Sequence, residues 1–494
     1  MIRRAKIIAT LGPSSSTERT IERILRAGAD LIRLNLSHGN HGSHREYVTR
    51  VRRRAQSLDR HIPVIFDLMG PRYRIGEVTD AGCRIRRGQT VRLGSLDPEP
   101  DLPIDDPHFL RHLQAGERIL IDNGLIELKV VESGRKEVKA RVVHGGTVAS
   151  RKGINLPDSE LPFQITDKDR LDIELAVELG VDFIAASYVG RAEDVEAIRR
   201  EVLRAGASIP IVAKLERGRA VSNIVEITDA ADAVMVARGD LGVEVQLHRV
   251  PVLQKQIVEA GRRSGTPVIV ATQMLDSMMS HPRPTRAETS DVANAVFDGA
   301  DALLLTGETA AGNYPVKAVQ TMVKIIKEAE AHATSRLSVA ASNIVRSPRI
   351  LPPLKIKSRG NSGEAVGKRD SEIADAIARA AVETVQHLGV RQIVAFSQSG
   401  FTARLISRYR PDVSILAFTP DPEVARSVQI YWGVRPFLIG ERVDSGEDVV
   451  TLVEHHLLES SLAKENQNFI LLMAEPLHER ALTNLLRVQR VRRS

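Results

Sequence analysis

Between residues 209 and 240 the chain reads Ile209-Pro210-Ile211-Val212-Ala213-Lys214-Leu215-Glu216, then a helical stretch, then Ala233-Val234-Met235-Val236-Ala237-Arg238-Gly239-Asp240. Each apolar run is short enough to be a buried parallel strand, and each ends in charge. Working outward, the same unit recurs. Strands are expected at Lys6–Leu11, Leu31–Leu34, Pro63–Leu68 and Phe183–Ala186 before it, and at Pro267–Thr272 and Ala302–Thr306 after it. Helical spacing fills the gaps, as in Thr17–Ala27 and His44–Leu58. Parallel strands need helical crossovers and eight of them close a sheet, so the fold class is α/β, a (β/α)8 TIM barrel over 1–70 and 163–335.

Two stretches depart from that rhythm. Residues 71–162 are rich in Gly and in alternating runs (Gln89–Leu93, Arg118–Ile121, Ile126–Val131, Glu137–Val142), which predicts a small antiparallel β-barrel domain inserted after strand three. Such an insertion can serve as a mobile cap over the barrel mouth. Beyond the eighth helix, Val316–His332, residues 336–370 read as a linker or flexible loop, and 371–494 as an open-sheet α/β domain. Its strands are expected at Gln392–Ser397, Ile415–Thr419, Pro436–Ile439 and Phe469–Met473.

The 494 residues carry 69 Lys+Arg against 62 Asp+Glu, a net charge of +7. Hydrophobic residues make up 43%, enough for sizeable cores, while 3% aromatics disfavour a base-stacking surface. A single cysteine, Cys83, excludes a disulfide framework and a cysteine metal cluster. No apolar run reaches the roughly 18–20 residues that span a bilayer, so a soluble cytoplasmic enzyme with no membrane partner is expected. The positive charge leaves nucleic acid or small anions open. Much of it is read as solvated surface on helix faces, in the linker and in the tail Arg487–Arg493.

In this barrel class, chemistry sits where the strands end. Arg33 to His38 follow strand two, Asp67 strand three and Ser187 strand four. Lys214 and Glu216 end strand five, Gly239 and Asp240 follow strand six, Thr272 ends strand seven and Glu308 follows strand eight. Glu216 and Asp240, on adjacent strands, suit one hard cation such as Mg2+. Lys214 lies two residues before Glu216 and therefore on the same strand face. Arg33 and Arg74 are rigid cationic forks suited to phosphoryl oxygens. Walker A and kinase glycine loops are absent. The residues point to a magnesium-dependent site for a small phosphorylated carboxylate, performing phosphoryl transfer or enolate chemistry.

Long separate runs then supply a resemblance: Lys6-Ile7-Ile8-Ala9-Thr10-Leu11-Gly12-Pro13, Ile32-Arg33-Leu34-Asn35-Leu36-Ser37-His38-Gly39, Lys152-Gly153-Ile154-Asn155-Leu156-Pro157, Met235 to Gly242, Ala271 to Leu275 and Pro282 to Glu288. In these the chain resembles the pyruvate kinase family over nearly its whole length. The resemblance implies phosphoenolpyruvate plus ADP giving pyruvate plus ATP, the last step of glycolysis, in a homotetramer that binds no nucleic acid. It implies Mg2+, for which Mn2+ can substitute, on Glu216 and Asp240, and catalysis by Lys214, Arg33 and Thr272. Substrate contacts would come from Arg33, Lys214, Gly239, Asp240, Thr272 and Ser187. Nucleotide contacts would come from Arg74, His38, Asn35, Lys152 and Pro13.

One departure stands out. Potassium-dependent relatives carry Asp-Thr-Lys-Gly-Pro-Glu after strand three, where this chain has Asp67-Leu68-Met69-Gly70-Pro71-Arg72. Asn35, Ser37, Asp67 and Leu68 still match the monovalent-cation position, but the Arg72 guanidinium would supply the charge itself, so K+ independence is expected. In the C-terminal domain, Ser397, Ser399, Gly400 and Thr402 resemble the family's effector loop. The closing segment Glu475 to Asn484 matches only at Thr483-Asn484, so a structural and a regulated domain both stand. A barrel lyase or aldolase of pyruvate enolates and a silent metabolite-sensing paralogue are the rival readings.

Overall fold

The computed structural model describes residues 3–79, 81–94, 100–341, 351, 368–440, 443–477 and 482–492. Eight parallel strands close a barrel: Lys6–Leu11, Leu31–Asn35, Val64–Asp67, Phe183–Ala186, Ile211–Leu215, Ala233–Ala237, Val268–Ala271 and Ala302–Leu305. Each pairs with its sequence neighbour, and the eighth returns to the first in the register Lys6↔Ala302. The crossovers start on side-chain caps, as where Thr17 accepts from Thr20 N at 3.1 Å and Asn40 from Ser43 N at 2.9 Å.

The period-2 alternation of a strand explains both core and site. Ile8, Leu31, Ile65, Phe183, Ala185, Val212, Met235, Ile269 and Leu304 fill the barrel interior. Their neighbours Ile7, Ile32, Phe66, Ile184 and Ala213 pack outward under the helices. Two residues further along, the inward row turns polar: Ile8 gives way to Thr10, Leu31 to Arg33, Ile65 to Asp67, Ala185 to Ser187 and Val212 to Lys214.

The insertion forms a seven-stranded sheet. Thr90–Gly94, Arg118–Ile121, Ile126–Ser133 and Glu137–His144 are its longer members, within two residues of expectation. An antiparallel bridge between Ile75 and Ile104 joins its two edges, and Val91, Ile119, Leu128 and Val138 fill a separate core. Strands such as Tyr73–Arg74, Leu102–Pro103 and Gly153–Asn155 span two or three residues, too few to show a pattern in sequence.

The C-terminal sheet runs Val434–Leu438, Ser414–Thr419, Gln392–Phe396, Asn468–Met473 and Leu485–Arg490, the last antiparallel to its neighbour. That last strand gives the tail a backbone structure that the reading of its arginines as solvated surface does not include, while Arg490 and Arg492 are exposed and Arg487 is half-buried. Leu485 to Arg490 pair with Asn468 to Met473, and Arg487 forms an ion pair with Glu447. The expected linker is also shorter than 336–370, since one helix runs Pro315–Ala341 and the next Lys368–Leu388. Of the remainder, 342–350 and 352–367 lie outside the described residues.

The C-terminal domain docks on the barrel's flank through arginines. Arg404 Nε donates to Gly265 O and Arg408 Nη2 to Arg263 O, each at 2.8 Å, meeting the carbonyl end of helix Val250–Ser264. Arg410 pairs with Asp301 at 2.7 Å. The single tryptophan, Trp432, lies between Arg4 and Arg410, whose guanidinium carbons are 5.3 and 5.2 Å from its ring centroid.

Candidate functional site

The polar inward row converges at the barrel mouth. Lys214 Nζ, buried, lies 3.0 Å from Asp67 Oδ1, 2.9 Å from Glu216 Oε1 and 2.7 Å from Ser187 Oγ. Ser187 Oγ donates to Leu68 O at 2.8 Å. Arg33 Nε donates to Asp67 Oδ2 at 2.7 Å and Arg33 Nη1 to Thr10 Oγ1 at 3.1 Å. Strands one to five thus meet around one carboxylate.

Charge follows from that packing. Burial alone would lower the pKa of Lys214, but Asp67 and Glu216 outweigh burial and raise it, so the ammonium persists. Burial opposes ionisation of Asp67 as well, yet Arg33 and Lys214 hold its carboxyl below the usual range. Glu216 goes the other way: burial, joined by repulsion from Asp240, outweighs Lys214 and pushes it up. Glu216 Oε2 also accepts from Tyr188 N at 2.8 Å. Glu216 and Asp240, carboxylates close enough to repel one another, are a donor set that fits a hard divalent cation.

Thr272 sits at the next strand end with φ +70°, a left-handed conformation that strains a β-branched residue. Its Oγ1 accepts from Gly239 N at 2.7 Å and donates to Ala271 O at 2.6 Å. Arg238 fixes this corner: it reaches Thr272 O at 2.7 Å and Asp291 Oδ1 at 2.7 Å.

Above the mouth, a cleft of about 350 Å³ opens between barrel and insertion. Arg72, Arg74, Lys152, Arg217 and Asp240 line it. Lys152 Nζ is 3.0 Å from Asp122 Oδ1, and Arg74 Nη1 donates to Arg151 O at 2.8 Å. Arg72 is solvent-exposed but faces the site: its surroundings disfavour charge, and Tyr188, then Asp240, Glu216 and Asp67, outweigh them and raise its pKa. Asn155 Nδ2, in the insertion, donates to Glu244 Oε1 of the barrel at 3.0 Å.

Other expected residues fall elsewhere. Pro13 and His38 are exposed on the rim, and neither they nor half-buried Asn35 line the cleft. Asn35 Oδ1 accepts from Ser37 N at 3.2 Å. Glu308 is no mouth residue; fully buried, it accepts from Leu275 N and Thr306 N at 3.0 and 2.7 Å. His44 is buried beside Phe66. In the C-terminal loop, Gly400 has φ +77° and Phe401 N donates to Ser399 Oγ at 3.4 Å. Ser397 follows the strand Gln392–Phe396. Thr402, by contrast, is buried, its hydroxyl 2.8 Å from that of Thr483, which turns it away from solvent. Residues 478–481 of the closing segment lie outside the described residues.

Sequence reasoning missed Tyr188 and Arg217. The Tyr188 ring lines the cleft with Arg217 stacked 5.4 Å from its centroid. Arg217 follows Glu216 directly, a signal that was available; the φ of +60° that turns Tyr188 into the cleft was not.

Fold and mouth together define a barrel enzyme built to handle a small phosphorylated carboxylate. The family model described as pyruvate kinase, barrel domain, matches residues 2–319, and that described as pyruvate kinase, alpha/beta domain, matches 375–489. Pyruvate kinases of Staphylococcus aureus strains USA300 and bovine RF122 are each 36% identical over 497 aligned residues, covering 99% of this chain and 81% of the relative. A solved pyruvate kinase from Cryptosporidium parvum is 31% identical with a TM-score of 0.85, over 99% of this chain and 96% of that one. The chain belongs to the pyruvate kinase family and is a phosphotransferase. No helix among the described residues is long and apolar enough to cross a membrane.

Proposed function

We propose that the mouth carries out the family reaction, phosphoenolpyruvate plus ADP giving pyruvate plus ATP, through the residues at its strand ends. The observation that carries the assignment is Lys214, held between Asp67, Ser187 and Glu216 with its charge intact. The bond from the enol oxygen to phosphorus breaks, a bond from phosphorus to a terminal oxygen of ADP forms, and the enolate left behind gains a proton. Lys214 and Arg33 face the phosphoryl oxygens and offset their charge during transfer; Arg33 Nη2 makes no hydrogen bond among the described residues and is open for this role. Gly239 and Asp240 seat the carboxylate end of the substrate. Thr272 lies toward the methylene carbon. Its hydroxyl proton points to Ala271 O, so it turns or passes a proton through water to protonate the enolate.

Glu216 and Asp240 would hold Mg2+, or Mn2+ in its place, which when bound neutralises and orients substrate oxygens. Arg74 and Lys152, which line the cleft, face the nucleotide phosphates; Pro13, Asn35 and His38 lie outside the cleft and would meet the nucleotide's remaining parts from beyond it, and the insertion closes as a cap. Arg72 stands in for the monovalent cation at Asn35, Ser37, Asp67 and Leu68; both Asp67 oxygens already hold a cationic side chain, which supports K+ independence. The enzyme acts in the cytoplasm as a homotetramer. A lactate dehydrogenase-coupled assay with phosphoenolpyruvate, ADP and Mg2+ tests the reading. Pyruvate and ATP in equal amounts are expected; pyruvate with inorganic phosphate in place of ATP would mark hydrolysis of phosphoenolpyruvate, and no product would favour the lyase or the silent paralogue.

A further inference from the structure

The chain leaves the barrel for the insertion at Gly70-Pro71 and returns at Thr166, and both crossings end on one side chain. Asp169, 2% exposed, accepts from Gly70 N at 3.1 Å on Oδ1, and from Thr166 N and Thr166 Oγ1 at 3.0 and 2.7 Å on Oδ2. Asp169 N donates back to Thr166 Oγ1 at 3.0 Å. The Thr166 half is a capping box that starts the helix Asp167–Glu178. The Gly70 half is not required by any helix, since it reaches across 99 residues of sequence.

Gly70 is itself tightly placed. It has φ +64°, and a Cβ there would lie 3.0 Å from Ser187 Cβ and 3.2 Å from Tyr188 Cδ2. The outgoing crossing is therefore pressed against the residue whose hydroxyl takes the Lys214 ammonium at 2.7 Å. Between the two crossings the insertion has its own joined sheet and core, so it can turn as one body. Motions of this type are absorbed by a few residues at the attachment points.

We propose that Asp169 is a positioning residue: one buried carboxylate clasps both crossings, fixes the pivot of the insertion and ties that pivot through Gly70 and Ser187 to Lys214. The inference rests on the reading of the insertion as a cap that closes over the nucleotide. The clasp makes closure reproducible, since the cleft cations Arg74 and Lys152 then return to one place relative to the mouth. Charge-assisted hydrogen bonds of this kind, once lost in a buried site, are each worth about tenfold or more in an equilibrium.

The test uses the full chain with Asp169→Asn and Thr166→Val, hydrogen exchange at the Gly70 and Thr166 amides, and steady-state kinetics in both substrates. Asp169→Asn places an amide donor against one of the two crossings. Those two amides are expected to exchange about tenfold faster while the barrel strands keep their protection, and the KM for ADP rises about fivefold or more as kcat falls. Thr166→Val loosens the return crossing alone, so the Thr166 amide exchanges faster, the Gly70 amide keeps its protection and the KM for ADP rises by less. Unchanged exchange at both amides overturns the proposal. So does a uniform loss of protection across the barrel with an unchanged KM for ADP, the mark of a general stabiliser. If Asp169→Asn does not fold, Thr166→Val decides on the same criteria. Exchange needs no turnover, so a chain that loosens locally yet makes no ATP fails the functional reading and not the clasp.

Discussion

Lys214 and Asp67 meet 3.0 Å apart on the floor of the mouth, brought together from strands five and three of the barrel. Asp67 also takes Arg33 on its other oxygen at 2.7 Å, so one carboxylate holds two cations side by side. Lys214→Met removes the one that touches Ser187 and Glu216 as well. The expected loss in kcat is about 10³-fold, the size seen when a preorganised donor to developing charge is removed. KM for ADP stays within a fewfold. Lys214→Arg does not restore activity, because a planar fork does not fit a pocket built around a compact ammonium. Coupled assays on both variants check this, with thermal melts to confirm folding.

Arg72 has a different signature. Its guanidinium lies in the field of Tyr188, Asp240, Glu216 and Asp67. Turnover is expected to be the same in tetramethylammonium and in K+ salts at equal ionic strength. Arg72→Glu, which restores the residue of potassium-dependent relatives, makes activity fall about tenfold or more without K+ and recover with it. A parent enzyme that needs K+ would refute the idea.

How much of this was legible beforehand follows from which forces act locally. The barrel strands were readable because parallel strands buried on both faces are continuous apolar runs, and the strand-end residues followed from the period-2 row, as with Val212, Lys214 and Glu216. Tyr188 was not readable: its place depends on φ +60°, which tertiary packing imposes on a residue with no intrinsic preference for it. Glu308 misled because a carboxylate after a strand looks the same whether it faces substrate or accepts two backbone amides. The edge strand Leu485–Arg490 was hidden by its arginines, which are tolerated there because an edge strand leaves one side to solvent.

Trp432 offers a reporter of domain docking. It sits between Arg4 and Arg410 at the contact of the C-terminal domain with the barrel, and its N–H donates to Asp301 Oδ1 at 3.2 Å from the backbone. As the single tryptophan, it dominates emission on excitation at its red edge. Arg410→Ala removes both a stacking partner and the pair with Asp301. The expected result is a red shift of emission at denaturant concentrations where the far-ultraviolet signal is still native, while the parent shows coincident transitions. Coincident transitions in the variant would argue against separate undocking.

Lys6 makes stability depend on pH in an unusual direction. Its ammonium is buried and reaches Val434 O across the same contact. Burial, only partly offset by Asp30, lowers its pKa from 10.5 to about 8. The folded chain therefore releases this proton earlier than the unfolded chain does, and between about 8 and 10.5 the unfolded state holds more protons. Stability from this group rises with pH across that window, and below it the full cost of burying the charge, about 3 kcal/mol, is present. Lys6→Met keeps the chain length without the charge. Urea unfolding of both proteins, at the lower edge of the window and about 1.5 pH units above it, should show the parent gaining about 2 kcal/mol relative to the variant. A difference that stays flat with pH would mean that Lys6 keeps an ordinary pKa in the folded protein.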